Sequence, residues 1–417
     1  MTEDTRTDTE FDMHSPEYTR RGVEIEADLR ARCPVSWSSR HGGFWAVASH
    51  DAVTAALRDR ELCSSKKTFD EQGNAYGGLT IPPPPGERLV PDELDPPEWD
   101  GYRKLLNPPF APPAIAALRP RIEAFTTEVI NNVIEAGRAD LVNDVTNPIT
   151  ALVTLDILGL PLADWRYYSE PLHRLSYDHF NPEVSAAIVH ALERIRRIVA
   201  ERRQHPGRGL IDDLLAAEID GEPITDKVMV DIVWQLLLGG FETTGSLLAN
   251  VFWYLDDHRD EHDSLVRDDA FLRTATEEFV RWVSPVVALA RTGRQRMELE
   301  GQVVSPGERM WMMYRSANRD PKVFENPDEV ELTRFPNRHI GFGTGIHRCL
   351  GSNLARAQFQ IVLRQVLIRM PDYRIDRDAA HRLPNMAQVN GWIDMPARFT
   401  PGARKNSGLA LDPDVLG

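Results

Sequence analysis

Apolar positions along this chain recur mainly with helical spacing. The clearest stripe lies in residues 182–204, where Val184, Ala187, Ile188, Ala191, Leu192, Ile195 and Val199 share one face; such a face packs on a core. The longest apolar run, residues 228–255, contains Asp231, Gln235 and Glu242, so it reads as a buried helix and not as a membrane span. Thr225 supplies an N-cap for it, and the pattern continues to about residue 257, far beyond the usual helix length. Residues 114–136, 144–158, 268–283 and 354–370 show the same period. Shorter helices are predicted over 16–32, from an Asp51 N-cap through Leu57, and from Asp95-Pro96-Pro97-Glu98 to Pro108-Pro109.

Period-two segments are few and short. Residues 35–38 and 44–47 flank His41-Gly42-Gly43 as two strands and a turn, and strand-like pieces follow at 286–290, 297–299, 309–313, 373–375 and 390–399. Residues 64–97 are rich in Gly and Pro, including Pro82-Pro83-Pro84-Pro85, and form either a lid or binding element or a flexible surface. Residues 318–339 read as a loop. No repeat or linker interrupts the pattern. The expectation is one domain over 16–400, mainly α with small β-sheets, between a flexible tail at 1–15 and a C-terminal tail at 401–417.

Composition narrows the class. With 42% hydrophobic and 27% charged residues the chain has material for a large core. A formal charge of -15 and a sequence pI near 5.3 argue against nucleic-acid binding. Cys33, Cys63 and Cys349 have no short spacing, which suggests neither a disulfide framework nor a cysteine zinc site and fits a reducing cytoplasm. The polar, acidic start, with no apolar stretch after it, predicts neither a secretory signal nor a membrane anchor.

The candidate chemistry centres on Phe342-Gly343-Thr344-Gly345-Ile346-His347-Arg348-Cys349-Leu350-Gly351. An isolated cysteine is most simply a core thiol. Here, however, Gly343, Gly345 and Gly351 allow sharp turns and close backbone approach, and a helix starting just after Cys349 would favour the thiolate. A thiolate is what an iron ligand requires. Phe342 is placed to pack over the sulfur, and His347 and Arg348 to meet negative charge.

This window resembles the haem loop of the cytochrome P450 family of haem-thiolate monooxygenases, Phe-Gly-x-Gly-x-His/Arg-x-Cys-x-Gly, at every fixed position. The resemblance implies that Cys349 is the axial iron ligand, that His347 contacts a haem propionate, and that haem b lies between the long central helix and the helix after the cysteine loop. Two further segments carry the likeness. Glu278-Phe279-Val280-Arg281 matches the family's Glu-x-x-Arg, a structural pair whose third member is Arg334 or His339. Gly239-Gly240-Phe241-Glu242-Thr243-Thr244 matches the oxygen-side segment; its glycines and charge in a buried helix predict local distortion, and the resemblance gives Glu242 and Thr243 a proton-relay role. Arg103 and Arg291 stand at propionate positions, while Trp99 occupies the family's histidine position, where it can donate one N–H but carries no charge.

The likeness runs from about residue 34 to 399, in the order of soluble bacterial members. It implies insertion of one oxygen atom from dioxygen into a hydrophobic small molecule, with electrons from a separate ferredoxin-type protein and its NAD(P)H-dependent reductase. A non-oxygenating or peroxide-using haem-thiolate enzyme is the alternative. Substrate contacts are expected from the 64–97 loop, residues 162–182, 237–241, 286–289 and 389–392, and redox-partner docking from Lys104, Arg348, Arg356 and Arg364.

Overall fold

Side-chain caps open several of the helices. In the computed structural model, which describes residues 6–84, 86–178, 181–409 and 415, Thr225 accepts from the Val228 N–H and opens one unbroken helix, Asp226–Asp257. Asn181 caps Pro182–Gln204 in the same way, with proline at the first helical position. The helix predicted from Asp51 instead spans His50–Arg58, because the Ser49 hydroxyl is the cap, accepting from Ala52 N at 3.2 Å. Asp51 falls in the first turn, where a carboxylate still suits the helix dipole.

Contacts divide the chain into two compact units, each assembled from three separated stretches. The first comprises Met1–Tyr102, Glu277–Cys349 and Pro384–Asn390. Its six-stranded sheet has the order Asp8–Thr9, Val35–Ser38, Phe44–Val47, Arg309–Met313, Ala288–Gly293, Cys63–Ser64. Phe44–Val47 runs parallel to Arg309–Met313 and antiparallel to Val35–Ser38. Alternation serves both faces: Val35, Trp45, Val47, Met310 and Met312 enter one apolar cluster, and Phe44, Ala46, Trp311 and Met313 another. The strand predicted at 286–290 begins two residues later, since Val286 makes a separate bridge with Val389.

Residues 6–15 are not a tail. Asp8 and Thr9 pair in parallel with Trp37 and Ser38, and Phe11 and Met13 are buried; residues 1–5 of that expectation lie outside the described residues. The Gly/Pro-rich stretch is also fastened. Arg309 donates to the carbonyls of Gly77, Gly78 and Thr80, buried Lys67 donates to Glu87 O at 3.1 Å, and buried Glu93 accepts from Leu79 N and Leu89 N. Lys67–Phe69 and Ala75–Gly77 form a hairpin within it. These bonds give the loop a defined backbone, so of its two readings flexible surface fails. Pro85 lies outside the described residues.

The second unit comprises Arg103–Thr276, Leu350–Leu383 and Gly391–Gly417. Here Asn147–Leu158, Trp165–Leu175, Pro182–Gln204 and Ser352–Arg369 pack with the central helix Asp226–Asp257, and Pro112–Ile134 packs on Ser352–Arg369 and Asn147–Leu158. Trp165–Leu175 had no predicted counterpart. A π-helical segment, Leu141–Thr146, precedes Asn147–Leu158 and starts at Asp140, whose carboxylate accepts from Val142 N and Asn143 N. Arg374–Ile375, Pro396–Arg398 and Arg138–Asp140 form a three-stranded sheet. Of the expected C-terminal tail, residues 401–409 are anchored: Gly402 N donates to Ile134 O, and Asn131 Oδ1 accepts from both Lys405 N and Arg369. Residues 410–414 and 416–417 lie outside the described residues. No described helix is long and apolar enough to cross a membrane.

Candidate active site

The cysteine loop is held by its own backbone. Gly343 N donates to Ile340 O and Cys349 N to Phe342 O, both at 2.8 Å, which folds the segment back and leaves Cys349 exposed. Gly343 and Gly345 have φ of +66° and +73°, the left-handed region that favours glycine. Gly345 is constrained twice, because a Cβ there would stand 2.1 Å from Leu57 O. Helix Ser352–Arg369 starts three residues after the cysteine.

Beneath this loop lies a buried polar cradle. Arg281 donates to both carboxylate oxygens of Glu278 at 2.7 Å and to the carbonyls of Asn318, Pro327 and Glu329. The third member of the set is Arg334, whose Nε is 3.1 Å from Glu278 Oε2; His339 turns instead to the neighbouring Glu277 at 3.0 Å. Burial works to raise the Glu278 pKa, but the hydrogen bonds and charge of Arg281, the Glu331 N–H and the charge of Arg334 outweigh it and hold the carboxyl below its ordinary value. Asn318 carries the connection onward. Its carbonyl accepts from Arg281 and its side chain accepts from Ile340 N at 2.7 Å, one hydrogen bond from Gly343.

His347 and Trp99 meet in the same unit. Their rings pack edge to face at 5.6 Å, and His347 Nε2 lies 2.9 Å from the Ser65 hydroxyl. Ser65, which no sequence motif marked, therefore orients the imidazole. One turn along helix Glu98–Leu106, Arg103 Nε donates to Asn107 at 2.8 Å. Arg291 stands on strand Ala288–Gly293, only 5% exposed, and donates to Ala290 O. No carboxylate pairs with it among the described residues. A second guanidinium lies close by: burial pulls Arg309 down to about 10, and Arg291 pushes in the same direction against Glu93. A buried cation without a counterion is costly, so this corner has a standing demand for an anion.

In the second unit the central helix is buried along most of its length, but Leu236, Gly239 and Thr243 share a face that is incompletely covered. The distortion expected at the glycines does not break the helix. Gly240 instead admits the neighbouring helix, where a Cβ would fall 2.5 Å from Thr154 Oγ1, and Thr150 donates to Phe241 O across the same interface. Thr243 donates to Gly239 O at 2.9 Å, so its hydroxyl proton is committed and its lone pairs accept.

Glu242 turns to buried His173, whose Nδ1 is 3.2 Å from Oε2. His173 belongs to helix Trp165–Leu175, and its Nε2 lies 3.0 Å from Ile393 O. No sequence signal singled out His173; it lies in the stretch assigned to substrate contact. Two other members of that set also meet, as Val286 bridges Val389. Among the docking candidates Lys104 and Arg348 are exposed, but Arg364 is paired with Asp269.

A family model for cytochrome P450 matches residues 154–370, just over half of the chain. The steroid C26-monooxygenase of Mycolicibacterium smegmatis is 33% identical over 385 residues, covering 90% of this chain and 92% of that protein. The linalool 8-monooxygenase of Pseudomonas putida is 30% identical, covering 87% and 93%. Among solved structures, the Mycobacterium marinum cytochrome P450 CYP268A2 in complex with pseudoionone superposes with a TM-score of 0.84 at 27% identity, covering 95% of this chain and all of that one. Sequence and fold agree over nearly the whole chain, which belongs to the cytochrome P450 family of haem b monooxygenases.

Proposed function

We propose that Cys349 would supply the thiolate ligand to the haem iron, that His347, Arg291, Trp99 and Arg103 would hold the haem carboxylates, and that Phe342, Gly343 and Gly351 shape the loop around the ligand. Glu242 and Thr243 are assigned to proton delivery. The observation that carries this reading is the exposed Cys349 in a backbone-folded loop tied through Asn318 to the Glu278 cradle. The donor set fits the group: one soft ligand for iron, and at Arg291 a buried cation without an acid partner among the described residues for a carboxylate.

When bound, the haem supplies dioxygen binding and activation, with electron density pushed onto the iron by the thiolate. The chain's own work is to hold and move protons. Thr243, its proton committed to Gly239 O, is left to accept a hydrogen bond in this conformation and would pass a proton on by releasing that carbonyl. Glu242, one residue earlier, is the neighbouring acid.

The substrate is a hydrophobic small molecule of the size range spanned by the relatives named for a steroid and for linalool. Residues 286–289 and 389, joined by the Val286 bridge, supply part of the apolar lining. The chain acts as one catalytic domain in the cytoplasm that includes residues 6–15 and 401–409, and it is reduced by a ferredoxin-type protein fed by NAD(P)H. Docking uses Lys104, Arg348 and Arg356; Arg364 contributes less because Asp269 neutralises it. The spectrum of the reduced, carbon monoxide-bound protein tests the ligand: a strongly red-shifted Soret band in the wild type and its loss in C349H are expected, and a wild type without that band sinks the assignment. Reversing Lys104 and Arg348 is expected to slow reduction by the partner, and an unchanged rate would move the docking face elsewhere.

A further inference from the structure

The hydrogen bonds of His173 require one more proton than its neutral ring can hold in place. Nε2 faces Ile393 O at 3.0 Å, and a carbonyl only accepts, so Nε2 carries a proton. Nδ1 faces both oxygens of Glu242 at 3.2 and 3.3 Å. With Nε2 protonated, a neutral ring would turn the Nδ1 lone pair toward an anionic oxygen, a repulsive contact. A second proton must lie between Nδ1 and the carboxylate.

We propose that His173 is a positioning residue for oxygen activation, held as an imidazolium that shares its Nδ1 proton with Glu242 and fixes the carboxylate that serves Thr243. The idea rests on the proton-relay reading of Glu242 and Thr243. The site joins three elements of one unit: helix Trp165–Leu175, the central helix, and strand Trp392–Asp394. Their convergence explains a charged pair buried among apolar helices, since each partner is compensated by the other and the Ile393 carbonyl takes the remaining donor.

The surroundings favour the cation. Tyr177 packs edge to face on the ring at 5.5 Å, Asp140 adds a negative field from the start of the π-helical segment, and Asn143 shares the Ile393 carbonyl. Asp394, beside Ile393, is engaged with His381, and Arg174 with Asp178, so Arg174 does not compete for Glu242. Burial alone would lower the His173 pKa, but the hydrogen bond and charge of Glu242, followed by the Ile393 carbonyl and Asp140, raise it above the ordinary value. A raised histidine pKa means the pair is intact at low pH and is lost as pH rises through the folded value.

The test uses the holoenzyme with nitrogen-15-labelled histidine, reduced and carbon monoxide-bound so that it is diamagnetic, with the His173 signal assigned by its absence in H173F. Two ring protons up to about pH 6.5 are expected, with a titration above that value that falls by roughly one pH unit in E242Q. A wild-type His173 holding one ring proton below about pH 6.5, or a titration that E242Q does not move, overturns the proposal. In turnover, H173F should lower the share of electrons reaching product by roughly tenfold and abolish the alkaline fall in coupling. H173Q, which can donate to Glu242 but not titrate, should restore part of the coupling without the pH limb. Wild-type coupling in H173F, with E242Q and T243A impaired, rejects the role of His173 alone. Wild-type coupling in E242Q and T243A rejects the relay itself, and this role with it.

Discussion

Arg334 Nε lies 3.1 Å from Glu278 Oε2 across 56 residues of chain, closing a buried set in which one carboxylate serves two guanidinium groups. Replacing Glu278 by Gln leaves both cations buried without their counterion and should cost about 3–5 kcal/mol in urea unfolding. The exposed Glu17, paired with Arg21 at 2.9 Å, is the control: E17Q should stay within about 0.5 kcal/mol.

The same carboxylate sets an acid limit. Because its folded pKa lies below the unfolded value of about 4.3, its contribution is complete above that value and is lost as pH falls through the folded one. Wild type and E278Q should therefore converge in stability on acidification below about pH 4.3, and a gap that stays constant with pH would contradict this account.

If Arg291 holds a haem carboxylate as proposed, its replacement should separate stability from cofactor retention. In R291L a buried cation without an acid partner among the described residues becomes apolar, so the haem-free protein should unfold at the same or a higher temperature. Haem should nevertheless leave faster, by about tenfold or more, since the charge-assisted hydrogen bond proposed for Arg291 would be lost. Haem transfer to an acceptor protein and thermal unfolding of the apoprotein read the two effects, and equal losses in both would make Arg291 merely structural.

Two glycines of the cysteine loop should respond unequally. Among the described residues, G343A meets nothing nearer than His347 O at 3.9 Å and carries only the left-handed backbone cost, about 1–2 kcal/mol. G345A adds a contact of 2.1 Å with the Leu57 backbone and should be the more damaging in both melting temperature and haem content after purification.

The adjacent glycines of the central helix should differ in sign. Among the described residues, nothing beyond the helix's own backbone and Gly239's chain neighbours lies within 4 Å of an added Cβ there, so G239A should raise the unfolding free energy of the haem-free protein by about 0.5–1 kcal/mol through helix propensity. At Gly240 the Cβ meets Thr154 at 2.5 Å, and G240A should lower it by about 1–3 kcal/mol. Adding T154S, which removes the methyl but not the hydroxyl, should recover only part of that loss.

The features legible before folding are those that depend on near neighbours in the chain. The Thr225 cap, the limits of Pro182–Gln204 and the ten-residue cysteine window are local patterns, and each reappears where local chemistry places it. Motif order then sufficed for the family, because loop, buried pair and acid–threonine segment each need a fixed spacing. Tertiary structure decided the rest, for one physical reason: a hydrogen bond between distant residues leaves no periodicity in either segment. Arg334 and His339 were equivalent candidates until the cradle gave Glu278 to one and Glu277 to the other. Residues 8–13 looked like a polar tail until a sheet edge and an apolar cluster took them in. The glycines of the central helix suggested distortion, but a neighbouring helix with Thr150 and Thr154 used the space they leave. Ser65 and His173 carried no motif at all; only folding brought one to His347 and the other to Glu242.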